Sequence, residues 1–291
     1  MRLCRYNDNR IGLVEGAEVV DVTEILKELP PLSYPQPYGD QLIAALPGLR
    51  PRLSVLAKTA KRQPISSVAF KSPVANPSKI IAAPSNYQLH IDEGGRDAVL
   101  ASGRKRMHIG EAGLFLKSNT SLVGMSEGVA LRFPDRRNDH EAELGVVIGK
   151  TCEHVTEADA LSVVAGYSMA LDMVVRGPEE RSLRKSIDTY SLLGPWLVTA
   201  EEIKDPDALE FSLWVNGELR QKSNTSKMIY SVRKQIAWAT EFYTLYPGDI
   251  IMTGTPEGVG PVTPDDVMTM ECEGIGRTEI KIRAYEGSKA A

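Results

Sequence analysis

A chain of 291 residues with 42% hydrophobic and 25% charged residues is long enough to bury a large core, as one domain or as a large and a small one. The net charge of −4 gives no reason to expect nucleic acid or an anionic membrane as partner, and no apolar run nears the roughly 18 residues of a membrane span. Cys4, Cys152 and Cys272 are odd in number and form no CxxC pair, so free thiols in a reducing cytoplasm are expected rather than disulfides or a zinc knuckle; residues 1–6 also lack the apolar core of a secretory signal.

Residues 2–22 alternate in the manner of strands, interrupted by Asn7-Asp8-Asn9 and by a second reversal over residues 14–18. Thr23 can cap a short helix that runs to Leu29, where Pro30-Pro31 stops it. Residues 30–78 are rich in proline, with one helix expected over 40–46. The connection at 72–77 divides a small α+β unit, 1–75, from a larger one, 76–291. An apolar strand over 79–84 leads into Ser85-Asn86-Tyr87. From residue 88 to about 111 the chain turns polar and charged, with Gly94-Gly95 as the hinge of a mobile lid. If residues 88–93 are helical, His90 and Glu93 share a face at i,i+3, the geometry of a base and the carboxylate that orients it. A surface histidine beside a surface acid has the same spacing.

Asp139-His140-Glu141-Ala142-Glu143-Leu144-Gly145-Val146-Val147-Ile148-Gly149-Lys150 reads as one strand. Ala142, Leu144, Val146 and Ile148 share a face that should be buried, and Glu141 and Glu143 fall on the other, about 7 Å apart. Two such carboxylates repel and need a positive partner. A divalent hard cation, Arg136 or Arg137, and a solvated edge all answer that need. Thr156 caps a helix expected to run to about Val164. Residues 166–175 form a buried strand with Asp172 as the anomalous carboxylate, and Arg176, on the same face, is as good a partner for it as a metal. Residues 177–190 form a polar excursion in which Arg181, Arg184 and Lys185 read as solvated surface. Asn216-Gly217 marks a hairpin, and Ser231 caps a helix over residues 232–242. Pro247-Gly248-Asp249 turns into a strand at 250–252. The Gly/Thr-rich residues 253–260 offer donors for an anion but match neither phosphate-loop nor dinucleotide spacing. The total is strand-rich α+β.

In this order, several motifs resemble the fumarylacetoacetate hydrolase superfamily: Ser85-Asn86-Tyr87 with His90, Phe115-Leu116-Lys117, Glu141-Ala142-Glu143-Leu144, Leu171-Asp172, Lys185-Ser186 with Asp188-Thr189, Leu193-Gly194-Pro195-Trp196, Asn216-Gly217-Glu218, Pro247-Gly248-Asp249 and Thr253-Gly254-Thr255-Pro256. The likeness covers residues 79–283 and points to its acylpyruvate hydrolase and 2-hydroxyhepta-2,4-diene-1,7-dioate isomerase branch. It implies a β-roll or sandwich catalytic domain after a small N-terminal domain, and Mg²⁺ or Mn²⁺ on Glu141, Glu143 and Asp172. It also implies His90 and Glu93 activating water, Lys185 at the developing oxyanion, and Tyr87, Lys117, Arg176 and Thr255 as contacts for a keto-acid substrate. The implied protein is a cytoplasmic homodimer of aromatic catabolism that cleaves a carbon–carbon bond of a 1,3-diketo acid through a metal-bound enolate. Oxaloacetate decarboxylation or dienoate tautomerisation would use the same metal site, and a protein that binds an organic acid around a structural cation would share the carboxylates. Members often carry glutamine where this chain has Glu179, which either changes recognition of the acyl end or points away from it.

Overall fold

The computed structural model describes residues 1–97, 99 and 107–287. Among these, the largest sheet has twelve strands. Its path runs Arg62–Pro64, Glu18–Asp21, Arg10–Glu15, Arg2–Tyr6, Ser191–Thr199, Val164–Asp172, Ala142–Ile148, Ile250–Met252, Ile80–Ala82 and Phe115–Lys117, with Phe70–Lys71 and Leu122–Val123 attached at its side. The N-terminal strands and the later ones are thus hydrogen-bonded together, with Arg2 opposite Val198 and Leu3 opposite Leu197. A five-stranded sheet (Glu218–Asn224, Glu210–Val215, Val267–Cys272, Gly276–Ala284, Val129–Leu131) and a three-stranded one (Val174–Val175, Asn138–His140, Gly260–Pro261) complete the strand-rich α+β architecture.

The apolar face Ala142, Leu144, Val146 and Ile148 packs, as expected, into the larger core with Met169, Leu171 and Leu213. The opposite face is buried as well. Val147, Ala170 and Leu193 join a second core under the helix Gln41–Leu56. Every residue of Ala142–Ile148 and of Ser191–Thr199 is therefore buried, and near-continuous apolar sequence is what a strand covered on both sides requires. Gly145 allows that closeness, since a Cβ there would lie 2.6 Å from Leu193 Cδ1.

Two stretches are longer or more broken than the sequence suggests. The helix expected over 40–46 continues to Leu56 through Pro47 and Pro51. Each interior proline costs about 3 kcal/mol, but Leu42, Ile43, Leu46, Leu49 and Leu53 are all buried at roughly 1.5–3 kcal/mol apiece, so burial outweighs the prolines. Asp40 caps the helix through Leu42 N at 3.0 Å and Ile43 N at 3.1 Å. Conversely, the single strand expected over 139–150 is two. Asn138–His140 belongs to the three-stranded sheet and Ala142–Ile148 to the twelve-stranded one, with Glu141 between them. The neighbouring strand breaks at the same level, Val164–Asp172 giving way to Val174–Val175. Both chains turn one corner together, and Asp172 N donates to Glu141 O at 2.9 Å across it.

Smaller differences have local causes. Residues 23–28 form a 3-10 turn in which the Thr23 hydroxyl bonds Asp21 and Ile11 instead of capping. The helix expected from Thr156 is only the 3-10 turn Ala160–Val163, because the Thr156 and Asp159 side chains bond each other in the preceding turn. Gly94 and Gly95 lie inside the helix Gln88–Arg96 and not at a loop hinge; residues 98 and 100–106 of the expected lid lie outside the described residues. The Asn216-Gly217 hairpin and the helix Val232–Phe242, with Ser231 Oγ accepting from Lys234 N at 3.2 Å, follow expectation.

Candidate metal centre and active site

The sheet corner brings Glu141, Glu143 and Asp172 together, each buried, with one oxygen of each lying within 4.8 Å of the others. Two lysines from elements distant in sequence close around them. Lys117, at the end of strand Phe115–Lys117, places Nζ 2.5 Å from Asp172 Oδ1 and 2.8 Å from the Tyr190 carbonyl. Lys185, at the end of the helix Arg181–Lys185, donates to Glu141 Oε2 at 2.5 Å and to Asp172 Oδ2. The polar excursion that reads as solvated surface is therefore folded inward, with Arg184 and Lys185 both buried. Arg176 does not pair with Asp172. Its Nε meets Asp139 Oδ2 at 2.7 Å and its Nη2 meets Glu141 Oε1 at 2.9 Å. Asp139 is fully buried and also accepts from Arg137 Nε at 2.8 Å, so Arg137 reaches the carboxylates only through Asp139.

The electrostatics separate the two glutamates. Burial alone would raise the Glu141 carboxyl, but Lys185, Arg176 and His90 outweigh it and hold it well below the usual carboxylate range. Glu143 goes the other way: burial and the Asp172 charge push it well above 4.5, against the Gly254 N–H that reaches Glu143 Oε2 at 2.8 Å. Among the described residues no ammonium or guanidinium lies within ion-pair distance of Glu143. A buried carboxyl without a cation, grouped with two others, is a hard-oxygen donor set, and it suits a divalent ion. The metal reading of this cluster thus fits the chain's own residues better than neutralisation by Arg136 or a solvated edge; Arg136 is bound elsewhere, to Glu179.

His90 lies one turn into the helix Gln88–Arg96 and is buried, its Nδ1 3.2 Å from Glu93 Oε2. Glu93 Oε1 accepts from Gly258 N at 3.0 Å, so the dyad is fixed to the 253–260 loop. Asn86 makes a second tie, donating to the Thr253 and Tyr230 carbonyls at 2.8 and 3.0 Å. The Tyr87 hydroxyl is buried with no hydrogen-bond partner among the described residues. Burial and then the Glu143 charge push its phenol well above 10, which keeps it a neutral O–H donor. Thr255 donates to the Ala142 carbonyl at 2.9 Å and accepts from Gln221 at 2.8 Å, so its hydroxyl here braces the strand.

Glu179 settles against Arg136, with contacts of 2.9 and 2.8 Å, on the wall of a separate cavity of about 340 Å³ that Arg184 also lines. Its carboxylate is bound there and not grouped with Glu141, Glu143 and Asp172. The sequence alone assigns no site role to Asp139 or Gln221. Asp139 carries a faint signal as a further acid at the head of the diglutamate stretch; Gln221 carries none.

Residues 79–283 match the family described as fumarylacetoacetate (FAA) hydrolase C-terminal. The chain is 54% identical over 286 residues to a maleylpyruvate hydrolase of Aquipseudomonas alcaligenes, covering 98% of this chain and 100% of that protein. It is 38% identical over 203 residues to a mitochondrial oxaloacetate tautomerase of Rattus norvegicus, covering 68% of this chain and 61% of the relative. A crystal structure of maleylpyruvate hydrolase from Sphingobium sp. SYK-6 in complex with manganese (II) ion and pyruvate superposes with a TM-score of 0.83, at 39% identity over 98% of this chain and 100% of the other. By matched length, by full-length identity and by fold, the chain is an enzyme that belongs to the fumarylacetoacetate hydrolase family.

Proposed function

We propose that this enzyme is a divalent-metal-dependent hydrolase that cleaves a carbon–carbon bond of an acylpyruvate, with maleylpyruvate as the substrate to test first. The observation that carries the reading is the buried trio Glu141, Glu143 and Asp172, flanked by Lys117 and Lys185, with a histidine–glutamate dyad held over the same loop. The full-length likeness to maleylpyruvate hydrolases supports the substrate class, and it favours hydrolysis over the oxaloacetate tautomerisation of a relative that the chain matches over a shorter length. The manganese in a related structure supports Mn²⁺, with Mg²⁺ as the other hard cation for an all-carboxylate set. Three free cysteines support a reducing, cytoplasmic setting, and a homodimer is part of the same reading. No helix among the described residues is long and apolar enough to cross a membrane.

A divalent ion on the three carboxylates supplies Lewis-acid polarisation of the 2-keto-acid end of the substrate. The chain's residues supply the rest. With Nδ1–H donating to Glu93 Oε2, neutral His90 has its basic lone pair on Nε2, and Glu93, itself fixed by Gly258 N, keeps the ring in that orientation. His90 takes a proton from water, and the water oxygen bonds to the acyl carbonyl carbon. Lys185 directs two of its three N–H groups at Glu141 and Asp172, and the third is the donor for the oxyanion that develops. When the oxyanion collapses, the bond to the methylene carbon breaks and its electron pair stays on that carbon. The proton that His90 took from water then passes to that carbon, giving the methyl group of pyruvate and restoring neutral His90, and the acyl fragment leaves as a carboxylic acid. Arg176 clamps Asp139 and Glu141 and so holds the corner while charge moves. The test is turnover of a panel of acylpyruvates with Mn²⁺ and with a chelator, followed by loss of the diketone absorbance. Chelator-resistant turnover, or none with any 1,3-diketo acid, contradicts the proposal.

A further inference from the structure

The first residue of strand Ala142–Ile148 sits between two of the metal carboxylates and lacks a strand neighbour on one side. Across the sheet Ala142 faces Leu171, but on the other side the strand Ile250–Met252 pairs only with Gly145, Val146 and Val147. Thr253 extends that contact one step, its N–H reaching Leu144 O at 3.1 Å. Beyond it the backbone turns away, and side chains take over. Ala142 N donates to Gln221 Oε1 at 3.0 Å, Gln221 Nε2 donates to Thr255 Oγ1 at 2.8 Å, and Thr255 Oγ1 donates back to Ala142 O at 2.9 Å. This is a closed ring, standing where a further strand residue would stand. Gln221 also accepts from His140 Nδ1 at 3.1 Å and donates to the Pro256 carbonyl at 3.0 Å, so both its lone pairs and both its N–H groups are used. It is completely buried, and it comes from strand Glu218–Asn224 of the five-stranded sheet, a different layer from the carboxylates.

We propose that Gln221 is a positioning residue for the metal centre: its one amide fixes the backbone between Glu141 and Glu143 and, through Thr255, the turn whose Gly254 N–H holds Glu143. The three carboxylate oxygens converge only while that backbone keeps its place at the corner: Glu141 lies in neither sheet, and its backbone is tied to the neighbouring strand by the single hydrogen bond from Asp172 N to Glu141 O. His140 on one side of Glu141 and Ala142 on the other both end on the same amide oxygen. Glu141 is thus spanned by two donors meeting at one acceptor. Outer partners of this kind are worth about 10–100-fold in metal affinity, and ring members that act as a unit should couple.

The inference rests on the proposed metal site, and the test separates the two. Metal-free protein is titrated with Mn²⁺ alone in a calorimeter, without substrate. Absence of Mn²⁺ binding to the wild type would sink the metal site itself, whereas wild-type binding with unchanged affinity in the variants sinks only the role of Gln221. Gln221→Met is expected to weaken Mn²⁺ affinity by roughly 10–100-fold. Leu53→Ala, in the second core under the Gln41–Leu56 helix, lowers Tm while leaving Mn²⁺ affinity within about twofold, which separates positioning from general loosening. Thr255→Val cuts the same ring from the other side and keeps the measurement available if Gln221→Met does not fold. It too should weaken Mn²⁺ binding, and where both variants fold, the double variant should lose less than the product of the single losses. Affinities equal to that of Leu53→Ala, or losses that simply multiply, overturn the proposal.

Discussion

Replacing Lys185 by methionine keeps the apolar stem and removes the ammonium that lies against Glu141 and Asp172. In metal-free protein Glu141 then keeps only Arg176 and Asp172 only Lys117, so the buried cluster is short of one positive charge, and breaking a buried pair costs up to about 3–5 kcal/mol. The chain has one escape, which is to protonate the stranded carboxyl, and that caps the cost. Starting from the ordinary glutamate value of 4.5, the cap is about 4 kcal/mol near pH 7.5 and about 1.4 kcal/mol near pH 5.5, at 1.36 kcal/mol per unit. The sign follows from linkage. Glu141 is held below its ordinary value, so its stabilisation is present above 4.5 and fades as the pH falls below it. Because the variant takes up that proton more readily as the pH falls while the wild type stays ionised above 4.5, the Lys185→Met penalty is largest at neutral pH and shrinks toward pH 5.5, appearing as a fall in Tm on the order of 8 °C near pH 7.5 with a chelator present. Saturating Mn²⁺ should recover most of that fall, because a divalent ion supplies the missing charge. Thermal melts across pH, with chelator and with Mn²⁺, test all three statements. A loss that is the same at both pH values, or one that Mn²⁺ leaves intact, refutes the electrostatic account.

Other outcomes are expected from the same structure. His90→Ala should lower hydrolytic kcat about 10²-fold or more while leaving Mn²⁺ affinity unchanged; weakened Mn²⁺ binding would instead place His90 at the metal. Glu143→Ala should abolish calorimetrically detectable Mn²⁺ binding without loss of the folded state, since it removes a carboxyl that burial disfavours in its charged form; retained Mn²⁺ affinity would exclude Glu143 as a ligand. Burial pushes the Cys4 and Cys272 thiols up to about 12, so an aromatic disulfide reagent near pH 8 should react promptly with at most Cys152, and with all three only after denaturation. Three fast thiols in the native protein would contradict that burial.

Much of this fold is written locally. The capped helix Val232–Phe242 and the Asn216-Gly217 hairpin depend on residues close in sequence, and the Ser231 cap and the Asn-Gly pair locate them. Glu141, Glu143 and Asp172 stand out because carboxylates in apolar strands are costly wherever the strands go. What the sequence hides is decided by distant partners. Pro47 and Pro51 break a helix by local rules, and only the core above Leu46 and Leu53 keeps it whole. Arg184 and Lys185 look like a solvated run until the Arg181–Lys185 helix folds inward, where Lys185 meets Glu141, 44 residues away in the chain, and Arg184 donates to the Glu179 and Val175 carbonyls. The corner at Glu141 is invisible because a strand that changes sheets has the same alternation as one that does not. Gln221 shows no signal for a further reason. On its strand Leu219 is exposed and Gln221 buried, the reverse of what hydropathy predicts, because the site needs an amide there and not a methyl.

In the proposed reaction water, activated at His90, adds to the acyl carbon of a diketo acid before the carbon–carbon bond breaks. Turnover of maleylpyruvate with Mn²⁺ in ¹⁸O-labelled water, read by mass spectrometry of the four-carbon acid, tests it directly. One labelled oxygen is expected in the newly formed carboxylate of that diacid for each pyruvate released, with no label or product with chelator. Consumption of substrate without an acyl acid, or an acid that carries no label, contradicts it.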